Sequence, residues 1–197
     1  MLSREKFNGD LQDLAERSQL LLGNFVWQLT ELGDELWAKH VTTAPQAWGS
    51  GIQREYHILY SDSYSVPVLW FNVWNGDGRQ LPLCNVWAKL FAGWTNTTVS
   101  RNPWGVLTRA EHPRLGSPWL HVHPCRTSTA MSSLSGGEPA FWDSRNYVVS
   151  WLSTFGPLVG LDVPLGIATH SSADGPNDDT LRHTAHQSGS APLSSHG

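Results

Sequence analysis

The sequence has few cysteines, little charge and no long apolar run. Of its 197 residues two are cysteine and 15% are charged. No apolar stretch approaches the roughly 18 residues of a membrane-spanning helix, and residues 1–4 do not begin a secretory signal. The formal net charge is −4 and there is no Lys/Arg run, so nucleic acid is not an expected partner. These features predict a soluble cytoplasmic protein with reduced thiols.

Apolar and aromatic residues are plentiful, and they predict one globular domain with a tail. Apolar residues make up 40% of the chain and eleven residues are tryptophan, which suits a packed core. After Ala168 the composition changes to Ser, His, Gly, Asp and Pro, which cannot offset the entropy cost of ordering. We therefore predict a domain over residues 1–168 and a disordered polar tail over residues 169–197.

Hydrophobic spacing predicts an α+β domain. Residues Phe7, Leu11, Leu14, Ser18, Leu21 and Leu22 recur at helical spacing with Asp10 and Asp13 opposite, which predicts an amphipathic helix ending near Gly23. Strands are predicted over residues 35–42, 54–60, 66–74 and 119–123, and further helices after Pro82 and from Ser144. The stretches 92–117 and 132–143 are expected to be loops. The pattern indicates an antiparallel sheet of about four strands flanked by an N-terminal and a C-terminal helix.

The densest group of chemically capable residues surrounds Cys125. A cysteine just beyond a strand end, and after a proline, lies on a loop that a large partner can reach. It suits a nucleophilic thiol, but composition alone favours a small buried residue. A zinc site is a third reading, because His121, His123 and Cys125 alternate, with His112 nearby. The other cysteine, Cys84, lies within the predicted Pro82 helix and is interpreted as a packed thiol or a bystander.

Several segments resemble the autophagy-related protein 10 family of E2-like enzymes. The run His123-Pro124-Cys125-Arg126-Thr127 resembles the H-P-C signature of the autophagy E2-like enzymes. The runs at residues 55–61, 64–69, 111–116, 150–153 and 156–161 are also similar to family segments and follow in the right order. The resemblance covers roughly residues 54–91 and 104–168.

This resemblance implies an E2-like fold and a ubiquitin-like protein transferase active in autophagy. Cys125 would accept a ubiquitin-like modifier, autophagy-related protein 12, as a thioester. The E1-like autophagy-related protein 7 would supply it, and a lysine of autophagy-related protein 5 would receive it. No metal or nucleotide cofactor is implied, because the E1 consumes the ATP.

The resemblance also suggests supporting residues. A free cysteine titrates near pH ~8.5, so the loop must favour the thiolate, and His123 either helps to ionise Cys125 or holds the loop. Ubiquitin E2 enzymes place an oxyanion-stabilising asparagine after His-Pro, where this chain has the cysteine itself. Tyr64 is the candidate to line the site instead, with Asn146 a weaker one.

Two further expectations concern partners. The aromatic hairpin of residues 54–74 is expected to dock the acceptor, by edge-strand pairing, with Arg54 and Glu55 on that surface. The alternative to an enzyme is a catalytically silent E2-fold binding module or a short isoform.

Overall fold

The computed structural model describes residues 2–21, 23–33, 35–44, 48–91 and 107–169. Within them the strands are β1 Gln28–Leu32, β2 Glu35–Thr43, β3 Gln53–Ser61, β4 Val66–Trp74, β5 Leu107–Glu111 and β6 Pro118–Val122. The helices are α1 Arg4–Leu20, α2 Leu83–Phe91, α3 Thr127–Leu134, α4 Tyr147–Phe155 and α5 Leu165–Thr169. Short 3-10 turns cover Pro124–Arg126, Pro139–Trp142 and Gly156–Val159.

The strands form one antiparallel sheet in the order β1-β2-β3-β4-β6-β5. This confirms the predicted fold class and the four predicted strands, but two strands were missed. All of β1 is exposed, so it shows no apolar alternation. The other missed strand, β5, lies in a stretch punctuated by Gly and Pro that was predicted to be loop.

The hairpin of β3 and β4 lies in the interior of the sheet. Strand β3 pairs with β2 and β4, and β4 pairs with β3 and, through Trp70 and Phe71, with β6, so neither is an edge strand of the sheet. Arg54 is buried, and its guanidinium donates a hydrogen bond to the carbonyl of Gly160. The predicted edge pairing through residues 54–74 is therefore wrong, and a charge reversal at Arg54 would disturb the core.

Both faces of the central strands are buried. One face packs beneath α1 and α4, where Phe7, Leu11, Trp151 and Tyr56 are almost fully buried. The other face carries a second apolar cluster of Leu59, Val68, Trp70 and Trp119. Strand β4 is buried at every residue except Trp74, which confirms the prediction of a central strand covered on both sides.

Helix α1 follows its sequence pattern with one exception. The Ser3 hydroxyl caps it by accepting from the Lys6 amide, and Ser18 is buried as predicted. Asp10, predicted on the polar face, is buried instead: it accepts from the Tyr147 amide and pairs with Lys6. The two bonds offset part of the hydration that the buried carboxylate loses, but burial still raises the pKa of Asp10.

The region after β6 is more ordered than predicted. The loop predicted over residues 132–143 contains the end of α3 and the 3-10 turn Pro139–Trp142. At the other end, α5 includes Thr169, one residue beyond the predicted domain boundary. The remaining tail residues, 170–197, lie outside the described residues, so their predicted disorder stays a prediction. Within the described ranges, no helix is long and apolar enough to cross a membrane.

Candidate active site

Cys125 lies on a short turn at the end of an interior strand. Strand β6 ends at Val122, and Pro124 begins the 3-10 turn that carries the cysteine. Proline suits this position because it has no N–H that needs a partner. The Pro124 ring is buried, whereas Cys125 is exposed. The chain thus anchors the turn on one residue and presents the next to solvent.

His123 fixes the backbone of this turn. The Cys125 amide donates to His123 Nδ1 across 3.2 Å, so the imidazole caps the turn as an Asn or Ser side chain would. An accepting Nδ1 carries no proton, which places the proton of the neutral ring on Nε2. While this bond holds, Nδ1 is not free to take a proton from the thiol. The geometry therefore favours the loop-holding role of the two that the sequence left open.

Tyr64 reaches the same place from the turn between β3 and β4. Its ring centroid lies 6.0 Å from that of His123, in a T-shaped arrangement with an interplanar angle of 79°. The side chain is 45% exposed. The structure thus brings the three predicted site residues, Cys125, His123 and Tyr64, to one region of the surface, although their chemical roles remain predictions.

Asn146, the weaker candidate, is engaged elsewhere. Its side-chain oxygen accepts from the Val149 amide at 2.7 Å and caps α4. Its amide nitrogen donates to the Asp10 carbonyl and to the Asp13 carboxylate, each at 2.7 Å. All three bonds join α4 to α1 or start α4, which makes Asn146 a residue of that helix junction.

The histidines proposed as zinc ligands have other partners. His121 is buried on the face opposite α1, with its ring centroid 4.4 Å from that of Trp70, and burial lowers its pKa. His112 contacts His57, as described below. Among the described residues, no three His, Cys, Asp or Glu side chains converge as metal ligands.

Cys84 is exposed rather than packed, which corrects the packed-thiol reading. It lies in the first turn of α2, with its Sγ 3.5 Å from Asn85 Oδ1. The chain therefore offers two exposed thiols, of which Cys125 has a capped turn and neighbouring site residues.

A hydrogen-bonded pair of buried histidines was not found from the sequence. His57 Nδ1 lies 3.0 Å from His112 Nε2, and His57 Nε2 lies 3.0 Å from Glu55 Oε1. The Arg114 amide donates to His112 Nδ1, and Lys39 pairs with Glu55. The only sequence signal was His57 in a strand otherwise rich in apolar residues.

These contacts determine which group donates and which accepts in each hydrogen bond of the series. Because the Arg114 amide donates to Nδ1 of His112, the neutral ring donates from Nε2 to His57, which in turn donates to Glu55. Burial lowers the pKa of His57 and lowers that of His112 to about 4. The hydrogen bond from His57, with Lys39 alongside, lowers the pKa of Glu55 to about 2.

A cleft lies beside α3, the helix that follows the cysteine turn. It has a volume of about 440 Å³ and lies between the start of α1, α3 and Tyr147. Its lining includes Ser128, in the first turn of α3, and Val66, at the start of β4. Two of its lining residues are thus close along the chain to Cys125 and to Tyr64, and its volume is within the range of ligand-binding clefts.

The fold and the site together define a class of protein: an E2-like α+β domain with an exposed cysteine after His-Pro. The family model described as autophagocytosis associated protein, active-site domain, matches residues 8–166. The chain belongs to this family, which confirms the resemblance to autophagy-related protein 10.

Individual relatives agree with the family assignment. The human ubiquitin-like-conjugating enzyme ATG10 is 41% identical over 123 residues, which cover 62% of this chain and 56% of that protein. The enzyme of the same name from Arabidopsis thaliana is 33% identical over 129 residues, covering 64% and 57%. The chain thus spans a little over half the length of these relatives.

A solved structure supports the fold. The chain is similar to the crystal structure of the autophagic E2 Atg10, with a TM-score of 0.55 and 21% identity. The match covers 81% of this chain and 98% of that one. It confirms the predicted E2-like fold.

Proposed function

We propose that this chain is an E2-like enzyme that accepts a ubiquitin-like modifier on Cys125 as a thioester and transfers it to a lysine of an acceptor protein. The observation that carries the proposal is the exposed Cys125 thiol on a capped turn within the active-site domain of this family. The resemblance suggests autophagy-related protein 7 as the donor, protein 12 as the modifier and protein 5 as the acceptor, meeting in the cytoplasm.

The first step is a thioester exchange. The Cys125 thiolate attacks the carbonyl carbon of the modifier's C-terminal glycine, which is held as a thioester on the E1. A new carbon–sulfur bond forms, the old one breaks, and the E1 thiolate leaves. The exposure of Cys125 supports this step because two large proteins must bring their sulfur atoms together. The Arg126 guanidinium is adjacent along the chain, and reactive cysteines occur in such electropositive surroundings.

The second step is aminolysis. A neutral lysine amine attacks the thioester carbonyl, a carbon–nitrogen bond forms and the carbon–sulfur bond breaks. The Cys125 thiolate leaves, and the proton lost by the amine passes to it, which restores the thiol. Free lysine has a pKa near ~10.4, so docking must favour the neutral amine. Tyr64 lines the site beside His123 and is our candidate to orient the thioester. The cleft beside Ser128 is the proposed path of the modifier's C-terminal tail.

A charging assay tests the proposal. The chain is incubated with the E1-like protein 7, ATP and the modifier protein 12, then resolved on gels with and without thiol reductant. We expect an adduct that reductant removes. Cys125→Ser should give an adduct that resists reductant, because an oxygen ester replaces the thioester, whereas the matched variant Cys84→Ser should charge as the wild type does.

Two outcomes would contradict the proposal. An adduct that depends on Cys84 would place the acceptor thiol on α2. No adduct under conditions that charge the longer human relative would favour a silent binding module of the same fold. Adding protein 5 to the charged chain then tests the second step, which should yield a reductant-stable conjugate between the modifier and the acceptor.

A further inference from the structure

The turn that carries Tyr64 has an unusual backbone. It joins β3 to β4 over residues 62–65, and Ser65 has a φ of 50°, the one positive φ of a non-glycine residue in the described ranges. This left-handed conformation is disfavoured for residues that carry a Cβ. Such a conformation persists when the surrounding structure holds it, and it occurs often at functional sites. The contacts that hold this turn therefore bear on the site.

The segment that starts α1 supplies those contacts. The Leu2 amide donates to the Ser65 carbonyl across 3.3 Å, and the Tyr60 hydroxyl donates to the Leu2 carbonyl at 2.7 Å. The Arg4 guanidinium pairs with the Asp62 carboxylate and lies 5.0 Å from the centroid of the Tyr60 ring. The segment thus holds the first residue of the turn, its last residue and the end of β3.

The held turn determines where Tyr64 lies. Because the Tyr64 side chain is 45% exposed, surrounding side chains do not enclose it, and its backbone sets its direction. Its ring contacts His123, which in turn caps the Cys125 amide. The link therefore runs from Arg4 through its ion pair to Asp62, along the backbone of the turn to Tyr64, and through the His123 ring to the cysteine turn.

We propose that Arg4, through its ion pair with Asp62, is a positioning residue that holds Tyr64 against His123 and thereby sets the rate of transfer from Cys125. The inference rests on the proposed function and extends it to a residue outside the site. The proposal predicts that the rate of transfer changes without a change in folding stability. The Asp62 side chain is 71% exposed, and an exposed ion pair adds little to folding stability, so its loss should leave the fold intact.

The test is single-turnover transfer from the charged chain to autophagy-related protein 5, with the concentration of protein 5 varied. Arg4→Ala and Asp62→Ala should each slow the limiting rate about two- to fivefold. An exposed ion pair is weak, so its loss can lower the fraction of molecules with Tyr64 in place only by about this factor. The acceptor concentration at half-maximal rate, the extent of charging and the urea midpoint should not change. Arg79→Ala is the matched control, because it removes an exposed arginine paired with Asp77 in another turn.

Further variants test the route through Tyr64. The double variant Arg4→Ala/Asp62→Ala should be no slower than either single variant, and Arg4→Lys should recover most of the rate. The exchanged pair Arg4→Asp/Asp62→Arg should also recover it. In a Tyr64→Ala background, Arg4→Ala should have no further effect, because there is no ring left to position.

Each alternative result is decisive. If the wild type charges and transfers but Arg4→Ala transfers at the wild-type rate, the inference fails and the proposed function stands. It also fails if Arg4→Ala lowers the urea midpoint together with charging, because that is a structural role. A wild type that does not charge or transfer refutes the proposed function and this inference with it.

Discussion

At the scale of single residues, the site depends on which nitrogen of His123 accepts the hydrogen bond from the cysteine turn. Nδ1 accepts a hydrogen bond from the Cys125 amide, so the ring stabilises the turn through the nitrogen nearer to the backbone. A protonated ring could not accept this bond, because both nitrogens would then be donors. Holding the turn and exchanging protons with the thiol are therefore competing uses of one side chain.

Substitution of His123 separates these uses. Asparagine places an acceptor oxygen close to the position of Nδ1, so His123→Asn should keep the cap, although it removes the ring that Tyr64 contacts. His123→Ala leaves the Cys125 amide without its partner, and loss of such a cap costs about 1 kcal/mol. We expect His123→Ala to transfer several-fold more slowly than His123→Asn in single-turnover assays at matched charging. Equal, large losses in both variants would instead indicate that transfer depends on the imidazole ring and not on the cap.

At the scale of elements, two backbone segments approach closely at the end of α4. Gly156 follows α4 directly, and a Cβ at this position would lie 2.5 Å from the Leu161 carbonyl oxygen. The Leu161 amide donates to the Gly156 carbonyl at 3.0 Å, so the two backbones are bonded where they approach. Only a residue without a side chain fits this contact.

Two alanine substitutions should therefore have opposite effects on stability. Gly156→Ala must displace bonded backbone, and we expect it to lower the free energy of unfolding by about 2 kcal/mol or more. Gly9→Ala, in the exposed interior of α1, meets no atom within 4 Å, and it should raise that free energy by about 0.5–1 kcal/mol. Urea denaturation measures both, and a Gly156→Ala variant as stable as the wild type would contradict this packing.

At the scale of the whole molecule, the sheet face opposite α1 is held together by neutral histidines. The bonds run from the Arg114 amide through His112 and His57 to Glu55, joining the β5–β6 turn to β3. Each ring is fixed in one tautomer by its neighbours. A proton added to either ring would make both of its nitrogens donors, and two N–H groups would then face each other. The arrangement therefore requires both rings to be neutral.

The stability of the protein should consequently fall in mild acid. His112 has an ordinary pKa of 6.5 and a pKa of about 4 in the fold. Between pH 6.5 and 4, the unfolded chain therefore binds a proton at this residue that the folded chain does not bind. The free energy of unfolding should decrease as the pH drops from 6.5 to about 4, by about 3 kcal/mol from this residue, which is 1% exposed. Glu55 adds a further loss only below its ordinary pKa of 4.5, down to about 2.

Urea denaturation at a series of pH values measures this dependence. His112→Gln keeps a polar side chain without a titrating ring, so its stability should change less between pH 6.5 and 4 than that of the wild type. A wild type with constant stability over this range, or a variant with the same slope as the wild type, would contradict the lowered pKa of His112.

The sequence by itself determined the elements whose signals are local. The apolar spacing of α1 and of the four predicted strands follows from burial of their apolar faces, and the H-P-C run located the exposed thiol. Asp10 shows the limit of this reasoning: helical spacing placed it on the polar face, but the start of α4 covers it and supplies the Tyr147 amide as its donor. Residue spacing does not reveal which neighbour will cover a polar side chain.

Only the tertiary structure decided which distant residues meet. His57 and His112 are 55 residues apart, and Tyr64 reaches His123 because β4 pairs with β6 rather than with β5. The same strand order places β3 and β4 in the interior, which excluded the predicted edge pairing. The physical reason is that strand order and register depend on pairing between distant segments, whereas periodicity reports only whether each segment has an apolar face.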